Sequence, residues 1–306
     1  MSSITPAPDF HHRDNGGAKQ PATLKSSNWV PLAEQPLHTL RKLRVVCVGA
    51  GYAGLMIAYK WKYQMPASDF IDLAIYEKNT DVGGTWLENR YPGVACDVPA
   101  HIYTFSFEPN PDWSSFYASG PEIWNYIKRT TEKYNLDERV QFKSRVISSI
   151  WDDIAGKWKL KIEHNGHVIE DEADVLINGS GILDKWCWPD INGLDSFQGK
   201  KMHSAAWDTS LDWTDKRVAI IGNGSSAIQI LPQMQPHAAR IVNYIRTPTW
   251  ISSNYLAEMT PEGRNFQYTD DQKREFRENP EKLFELRRLI EHYFNKTFIA
   301  FLVGTP

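Results

Sequence analysis

The chain has 306 residues, of which 42% are hydrophobic and 23% charged, and these proportions are typical of a soluble globular protein with about two domains. Its formal net charge of −3 argues against nucleic acid or an anionic membrane as a partner. Three scattered cysteines without a CxxC pair exclude a disulfide framework, a zinc site and a dithiol redox centre, so we expect no metal.

The first 40 residues are rich in Pro, Ser, Asn, Gly and His and show no hydrophobic periodicity, which predicts a mobile leader. His11 and His12 have no third ligand nearby, so a solvated tail is favoured over a metal site. The leader also lacks the apolar core of a secretory signal. The run FIAFLVG near the end has seven residues, against about 20 needed to cross a bilayer. We therefore expect a cytoplasmic protein with no membrane partner.

The ordered part is predicted to begin near residue 41. Residues 45–48 form a short apolar run that is typical of a buried parallel strand, and a helix should start after the glycines that follow. The stretch IDLAIYEK predicts a second strand. Further on, PEIWNYIKRTTEKY places apolar residues at helical spacing, with Pro121 in the first turn.

The second half of the chain begins with alternating polar and apolar residues. The stretches VQFKSRVISSIWDD and KWKLKIEHNGHVIEDEADVLINGSG predict a β-meander with Asn165-Gly166 at a hairpin tip. A second strand, turn and helix open at Arg217. Beyond Thr269 the chain is predicted to be mostly helical, with an interruption near Pro280.

The first strand leads into GxGxxG at Gly49, Gly51 and Gly54. Gly49 suits the tight turn, Gly51 lets backbone amides approach a pyrophosphate, and Gly54 lets helix and strand pack closely. The helix start then offers unpaired N–H groups to the phosphates. Glu77 closes the second strand, where a carboxylate can accept from ribose hydroxyls, whereas Asp72 lies at the wrong end of that strand. A glycine-rich turn with a solvated glutamate is the alternative.

The same pattern recurs in RVAIIGNGSSAIQIL, where Gly222, Gly224 and Ala227 occupy the three motif positions. Alanine is tolerated at the third of them. The helix opens with two further candidate phosphate-binding residues, Ser225 and Ser226.

The strand after this second motif ends in Arg246 and Thr247, with no acid. A carboxylate there would repel a 2′-phosphate, whereas a guanidinium and a hydroxyl would bind it. This indicates NADPH, with an ordinary surface charge as the alternative for Arg246. One loop is therefore expected to hold FAD and the other NADPH, so that hydride can pass from nicotinamide to flavin.

Between the two motifs, FQGKKMHSAAWD fits the pattern FxGxxxHxxxW at Phe197, Gly199, His203 and Trp207. Together with VGGTWLENRYPGVACDVPAHIYTFSF and both glycine motifs, it resembles the flavin-dependent Baeyer–Villiger monooxygenases over residues 43–250. Related N-hydroxylating and flavin-containing monooxygenases usually lack the tryptophan. The resemblance implies that FAD, NADPH and O₂ serve to insert one oxygen atom beside a ketone, giving an ester or lactone. The ketone could be a bulky one from secondary metabolism.

The resemblance also implies roles for single residues. Glu77 would meet the adenosine ribose of FAD, and Asp97 would be the acid beside flavin and nicotinamide, with a cap or turn acid as its alternative. His203 would belong to a hinge between the cofactor domains and would not donate a proton. Other implied FAD contacts are Gly84, Thr85, Trp86, Tyr103 and Val146.

Members of that family are longer, and their arginine that stabilises the oxygenated adduct lies downstream of the position matching Arg246, so no residue here receives that role. Three interpretations stay open: a remnant with lost oxygenation, a chain completed by a companion or forming part of a working monooxygenase, and a flavin reductase or binding protein. We predict an α/β fold with two Rossmann-like dinucleotide-binding units and a β-meander insertion. The predicted domains are a leader at 1–40, the N-terminal part of the FAD domain at 41–190, and an incomplete NADPH domain at 191–306.

Overall fold

The computed structural model describes Pro36, residues 39–64, 69–183 and 185–249, Leu256, and residues 259–302. Most of the predicted leader therefore lies outside the described residues. The chain divides into two units, residues 1–40 and 41–306. In the first unit, the Thr39 hydroxyl donates to the Pro36 carbonyl oxygen at 2.7 Å, which closes a short turn. All elements below belong to the second unit.

The second unit has both strands and helices in its first and last thirds, and mostly strands in between. Its strands, in chain order, are β1 (Leu43–Val48), β2 (Ile71–Tyr76), β3 (Val140–Gln141), β4 (Ser144–Asp152), β5 (Lys157–His164), β6 (His167–Ala173), β7 (Val175–Asn178), β8 (Arg217–Ile221) and β9 (Arg240–Tyr244). Its α-helices are α1 (Tyr52–Tyr59), α2 (Thr85–Glu88), α3 (Gly120–Tyr134), α4 (Ser225–Met234), α5 (Asp270–Glu278) and α6 (Pro280–Leu302). A π-helical turn (Lys60–Gln64) extends α1, and a 3₁₀ turn (Pro261–Gly263) precedes α5.

The main sheet is parallel, with strand order β3-β2-β1-β7. Val46 and Cys47 in β1 are fully buried, as expected for a strand covered on both faces. The sequence prediction placed Val175–Asn178 in the meander, and this was wrong because β7 pairs in parallel with β1. The residues Val175, Leu176 and Ile177 form a continuous apolar run, which is the pattern of a parallel strand and not of an alternating one.

The predicted meander is confirmed for β4, β5 and β6, which form an antiparallel sheet. Asn165 and Gly166 at its hairpin tip both have positive φ, as a two-residue type I′ turn requires. Leu160 and Ile162 are buried and pack with Val46 and residues of β2. The meander therefore covers one face of the main sheet.

Helices α1 and α3 cover the other face of the main sheet, and the prediction for α3 is confirmed. Its N-cap is Ser119, whose side chain accepts from the Glu122 amide, and its C-cap is Asn135 in the left-handed region. Ile123 and Ile127 are fully buried in the core cluster that also contains Leu55 of α1. This packing holds α1 against the carboxyl end of β1.

The second strand–turn–helix unit is confirmed as β8–α4–β9, with β8 and β9 paired in parallel. Helices α5 and α6 follow, and Thr269 begins α5 with a capping box. Tyr268 and Ile290 belong to the same core cluster as Ile123. The last helices therefore pack against the first dinucleotide unit, although the sequence-based domain limits assigned them to the second; those limits remain a prediction. No helix in the described ranges is both long and apolar enough to cross a bilayer.

Candidate functional site

The first glycine loop connects β1 to α1 and is held by very close backbone contacts. Gly49 has φ +96°, and a Cβ on it would lie 2.7 Å from the Gly179 carbonyl oxygen. A Cβ on Gly54 would lie 2.0 Å from the carbonyl oxygen of Gly49. Gly49 therefore excludes a side chain because of its positive φ and because Gly179, which follows β7, lies against it. Gly54 excludes a side chain because α1 lies directly on the loop.

Gly51 differs from its two neighbours in the motif because it contacts another turn. A Cβ on Gly51 would be 3.7 Å from the Gly84 Cα, which is ordinary van der Waals distance. The Gly83 amide donates to the Ala50 carbonyl oxygen at 3.1 Å. The glycine loop and the Gly83-Gly84 turn thus meet at the start of α1, and the backbone at Gly51 leaves room for a phosphate to approach.

Glu77 lies just after β2 with only 3% of its surface exposed. Its Oε2 accepts from the Ala50 amide at 2.7 Å, and its Oε1 accepts from the backbone and side-chain nitrogens of Asn79, both at 2.8 Å. The carboxylate therefore faces the glycine loop and supports it, which the sequence did not reveal, and its contact with a ribose stays a prediction. Each carboxylate oxygen can accept two hydrogen bonds, so Oε2 retains capacity for a ribose hydroxyl.

Three aromatic residues come together beside this loop. The Trp86 indole donates to the Tyr103 hydroxyl at 3.2 Å, and their rings meet edge to face at 5.5 Å. The Tyr52 hydroxyl donates to the Tyr103 carbonyl oxygen at 3.1 Å. Burial raises the pKa of Tyr103 and of Tyr52, so both stay protonated donors. Sequence reasoning missed Tyr52, although its place directly after Gly51 was the available signal.

The other predicted flavin contacts are more dispersed. Thr85 is exposed at the first position of α2, and Asp97 is exposed with no hydrogen bond to its side chain from the described residues. Asp97 follows Cys96, whose pKa is raised to about 11 by burial. Val146 lies at a bulge of β4 and packs with the buried Leu160 of the meander. Their contacts with FAD remain predictions.

The second glycine loop connects β8 to α4. Gly222 has φ +112°, and among the described residues a Cβ on Gly222 or on Gly224 would meet no atom within 4 Å beyond its chain neighbours. Asn223 donates from its amide nitrogen to the Thr247 carbonyl oxygen at 3.1 Å and to the Thr249 hydroxyl. Sequence reasoning missed Asn223, which ties the glycine loop to the segment after β9. The structure thus brings Thr247 beside the loop, as the spacing predicted.

Arg246 directly precedes Thr247 and is exposed. Within the described parts of the chain, no carboxylate lies close enough to form a salt bridge with its guanidinium, which lies near the carboxyl end of β9. Ser225 and Ser226 form the first turn of α4. Each predicted residue of the second loop therefore lies at one end of the β8–β9 pair.

The two helices that follow the glycine loops share a feature that α3 and α5 lack. Within the described residues, no cap side chain accepts from the first amides of α1, α4 or the short α2, whereas Ser119 caps α3 and Thr269 caps α5. Unpaired amides at a helix start, together with the helix dipole, favour an anion. The residues present at both loops therefore suit the pyrophosphate of a dinucleotide.

The signature residues form a further set of contacts. The Phe197 ring covers Gly199, where a Cβ would be 2.5 Å from the ring. His203 stacks on Trp186 with ring centroids 4.5 Å apart, and its Nδ1 accepts from the Ala205 amide at 3.1 Å. Trp207 packs against a buried cluster composed of residues from both dinucleotide units, namely Tyr91, Val94, Ile230 and Met234.

The fold and the two loops define a class of protein with paired Rossmann-type dinucleotide units, in which each glycine loop precedes an uncapped helix. This agrees with the predicted fold class. The chain belongs to the flavin-binding monooxygenase-like family, whose model matches residues 42–267.

Individual relatives support the same assignment. The FAD-binding monooxygenase tazF of Aspergillus terreus is 53% identical over 279 residues, which cover 90% of this chain and 50% of that protein. A Baeyer-Villiger monooxygenase of Pseudomonas aeruginosa is 41% identical over 211 residues, or 69% of this chain and 39% of that one. Cyclohexanone monooxygenase from Rhodococcus sp. Phi1 bound to NADP+ superposes with a TM-score of 0.67 at 26% identity, over 80% of this chain and 44% of its own. The chain spans about half the length of the curated relatives it matches.

Proposed function

We propose that this chain provides the FAD and NADPH sites of a Baeyer–Villiger monooxygenase. The observation that carries the proposal is the pair of uncapped helix starts, each preceded by a glycine loop after a parallel strand. Glu77 follows the strand beside the first loop and Arg246 follows the strand beside the second. This difference in charge assigns the first loop to a free ribose and the second to a 2′-phosphate.

The residues of the first loop would each contribute to holding FAD. The amides at the start of α1 would bind the pyrophosphate, and the Oε2 atom of Glu77 would accept from a ribose hydroxyl. Trp86 and Tyr103 would border the flavin ring, with the indole N–H of Trp86 already donated to the Tyr103 hydroxyl oxygen. When bound, FAD supplies two-electron redox chemistry and reaction with O₂, which no side chain can supply.

The second loop would bind NADPH through the same backbone chemistry. The amides of α4 would meet the pyrophosphate, and Arg246 and Thr247 would bind the 2′-phosphate. Asn223 would keep the segment containing Thr247 against the loop. The expected consequence is a preference for NADPH over NADH.

Baeyer–Villiger oxygenation of a ketone is favoured over other monooxygenations by the tryptophan of the FxGxxxHxxxW signature, Trp207, and by the name of the Pseudomonas relative. We also propose a role in secondary metabolism, with a bulky ketone as the substrate and a companion chain as a partner. The activity is proposed for the whole protein, to which this chain contributes the two nucleotide sites.

The first experiment is spectroscopic and catalytic. Purified protein should be yellow with FAD, and NADPH oxidation should be coupled to conversion of a ketone into an ester or lactone. Yellow protein that consumes NADPH and forms only hydrogen peroxide would support both nucleotide sites and contradict oxygenation by this chain. Colourless, folded protein that binds neither nucleotide would refute the proposal.

The second experiment tests the 2′-phosphate site. Arg246→Glu should raise the KM for NADPH by roughly 10- to 100-fold, because a charge-assisted phosphate contact is lost, and should leave the KM for NADH almost unchanged. Arg240→Glu is the matched control, since Arg240 is also exposed but lies at the opposite end of β9. Equal effects of Arg246→Glu on both nucleotides would contradict the assignment.

A further inference from the structure

The two dinucleotide units meet where α4 packs on the segment Tyr91–Ala95, which we name the bridging loop. Gln229, in the middle of α4, is the polar centre of this contact. Its Nε2 donates to the Ala95 carbonyl oxygen at 3.0 Å, and its Oε1 accepts from the Tyr91 hydroxyl at 2.9 Å and from the Ala95 amide at 3.4 Å. The side chain thus pairs with both backbone groups of one residue in the other unit.

The bridging loop is shaped to receive α4. Gly93 has φ +78°, and a Cβ on it would lie 2.7 Å from the Gln229 carbonyl oxygen and 2.8 Å from the Gln233 Cγ. Any other residue would therefore push the helix away. Around this contact, Val94 and Ile230 are buried together. The contact is consequently close and specific in its register.

The bridging loop is also firmly attached to the first dinucleotide unit. The Gly120 amide donates to the Val94 carbonyl oxygen at 2.8 Å, and the Cys96 amide donates to the Ala118 carbonyl oxygen at 3.1 Å. Upstream of the loop lies Gly84, which touches the first glycine loop, and downstream lies Asp97. Gln229 therefore joins the helix of the second glycine loop to the segment that connects two parts of the predicted flavin site.

We propose that Gln229 is a positioning residue that sets the second nucleotide unit in register with the flavin site. The inference rests on the proposed function, in which a hydride with its two electrons leaves the nicotinamide, oxidising NADPH to NADP+, and reduces the flavin. Transfer of this kind depends on the distance between donor and acceptor, and a displacement of about 1 Å can cost roughly 100-fold in rate. Gln229 contacts the bridging loop and neither glycine loop. It therefore affects the position of the second nucleotide unit relative to the flavin site and not the affinity for either nucleotide.

The test compares Gln229→Glu with the wild-type chain reconstituted with FAD. The introduced carboxylate cannot donate to the Ala95 carbonyl oxygen, whereas its protonated form is nearly isosteric with the amide and can. Near pH 8, we expect flavin reduction by NADPH in a single turnover to slow by about 10- to 100-fold, with the calorimetric Kd for NADP+ changed less than about twofold. Hydrogen exchange of residues 91–96 should become faster.

Two further variants test whether the effect is specific to the contact of Gln229 with the bridging loop. Gln235→Glu carries the same change on an exposed position at the end of α4 and should behave as wild type. Tyr91→Phe removes one partner of Gln229 with little change of shape and should slow flavin reduction by a few-fold.

Each outcome decides between support and refutation. Wild-type reduction rates in Gln229→Glu, or equal losses in Gln229→Glu and Gln235→Glu, would overturn the inference. A loss that is accompanied by weaker NADP+ binding would overturn it too, since it would indicate general damage to α4. If the wild-type chain binds both nucleotides without reducing flavin, the proposed function fails in the wild-type experiment itself and the inference fails with it.

Discussion

Alanine substitutions at Gly54 and Gly51 distinguish two properties of the first glycine loop, which are its packing against α1 and its binding of phosphate. In Gly54→Ala, the new Cβ would stand 2.0 Å from the Gly49 carbonyl oxygen and 3.1 Å from its carbonyl carbon. An ordinary carbon–oxygen contact is about 3.3 Å or more, so α1 and β1 must separate by about 1 Å. In Gly51→Ala, the new Cβ would lie 3.7 Å from the Gly84 Cα, and the backbone, with φ −81° and ψ −160°, is allowed for alanine.

The magnitudes follow from these distances. Overpacking of this kind costs about 1–3 kcal/mol or more, and the gain from replacing a helical glycine by alanine offsets about 0.5–1 kcal/mol of it. Gly54→Ala should therefore lower the free energy of unfolding by about 1–2 kcal/mol and the Tm by roughly 2–8 °C. Gly51→Ala should leave the apoprotein within about 0.5 kcal/mol of wild type and still weaken FAD binding, because its methyl group occupies the approach of the pyrophosphate.

The assay is thermal unfolding of the apoprotein by circular dichroism, followed by titration of each variant with FAD and detection by flavin fluorescence. Unchanged stability of Gly54→Ala would refute the packing argument. Wild-type FAD affinity in Gly51→Ala would show that the pyrophosphate does not bind at this loop, even if the protein is a flavoprotein.

Two further predictions concern other parts of the molecule. His101 is 1% exposed, and burial lowers its pKa from 6.5 to about 4; the unfolded chain therefore takes up a proton between these pH values that the folded chain does not. The free energy of unfolding should fall by about 3 kcal/mol as the pH drops through this window, as measured by urea unfolding at a series of pH values. If the free energy of unfolding of His101→Phe depends on pH in the same way, the prediction is contradicted. Asn223→Ala removes the bond to the Thr247 carbonyl oxygen and should raise the KM for NADPH by roughly 3- to 10-fold without changing FAD content; a loss of FAD would argue against separate sites.

Short-range patterns were sufficient to predict much of the fold. The apolar run before Gly49, the Asn165-Gly166 hairpin and the helical spacing of α3 each depend on residues only a few positions apart, and all three are present in the structure. The same holds for the backbone of both glycine loops, because the strand, turn and helix that create them are consecutive. Turn geometry and helix capping are local properties, so a single sequence contains them.

Tertiary structure alone decided which distant segments meet. The pairing of β7 with β1, supported by Asp174 accepting from the Arg44 amide across 130 residues, contradicted the prediction of a longer meander. Likewise, Gln229 and Ala95 lie 134 residues apart in sequence, and no periodicity connects them. Such partners are selected by the close packing of whole elements, here the approach of α4 that Gly93 permits. The sequence by itself therefore determined two nucleotide-type loops, whereas only the packed chain determined how they are joined.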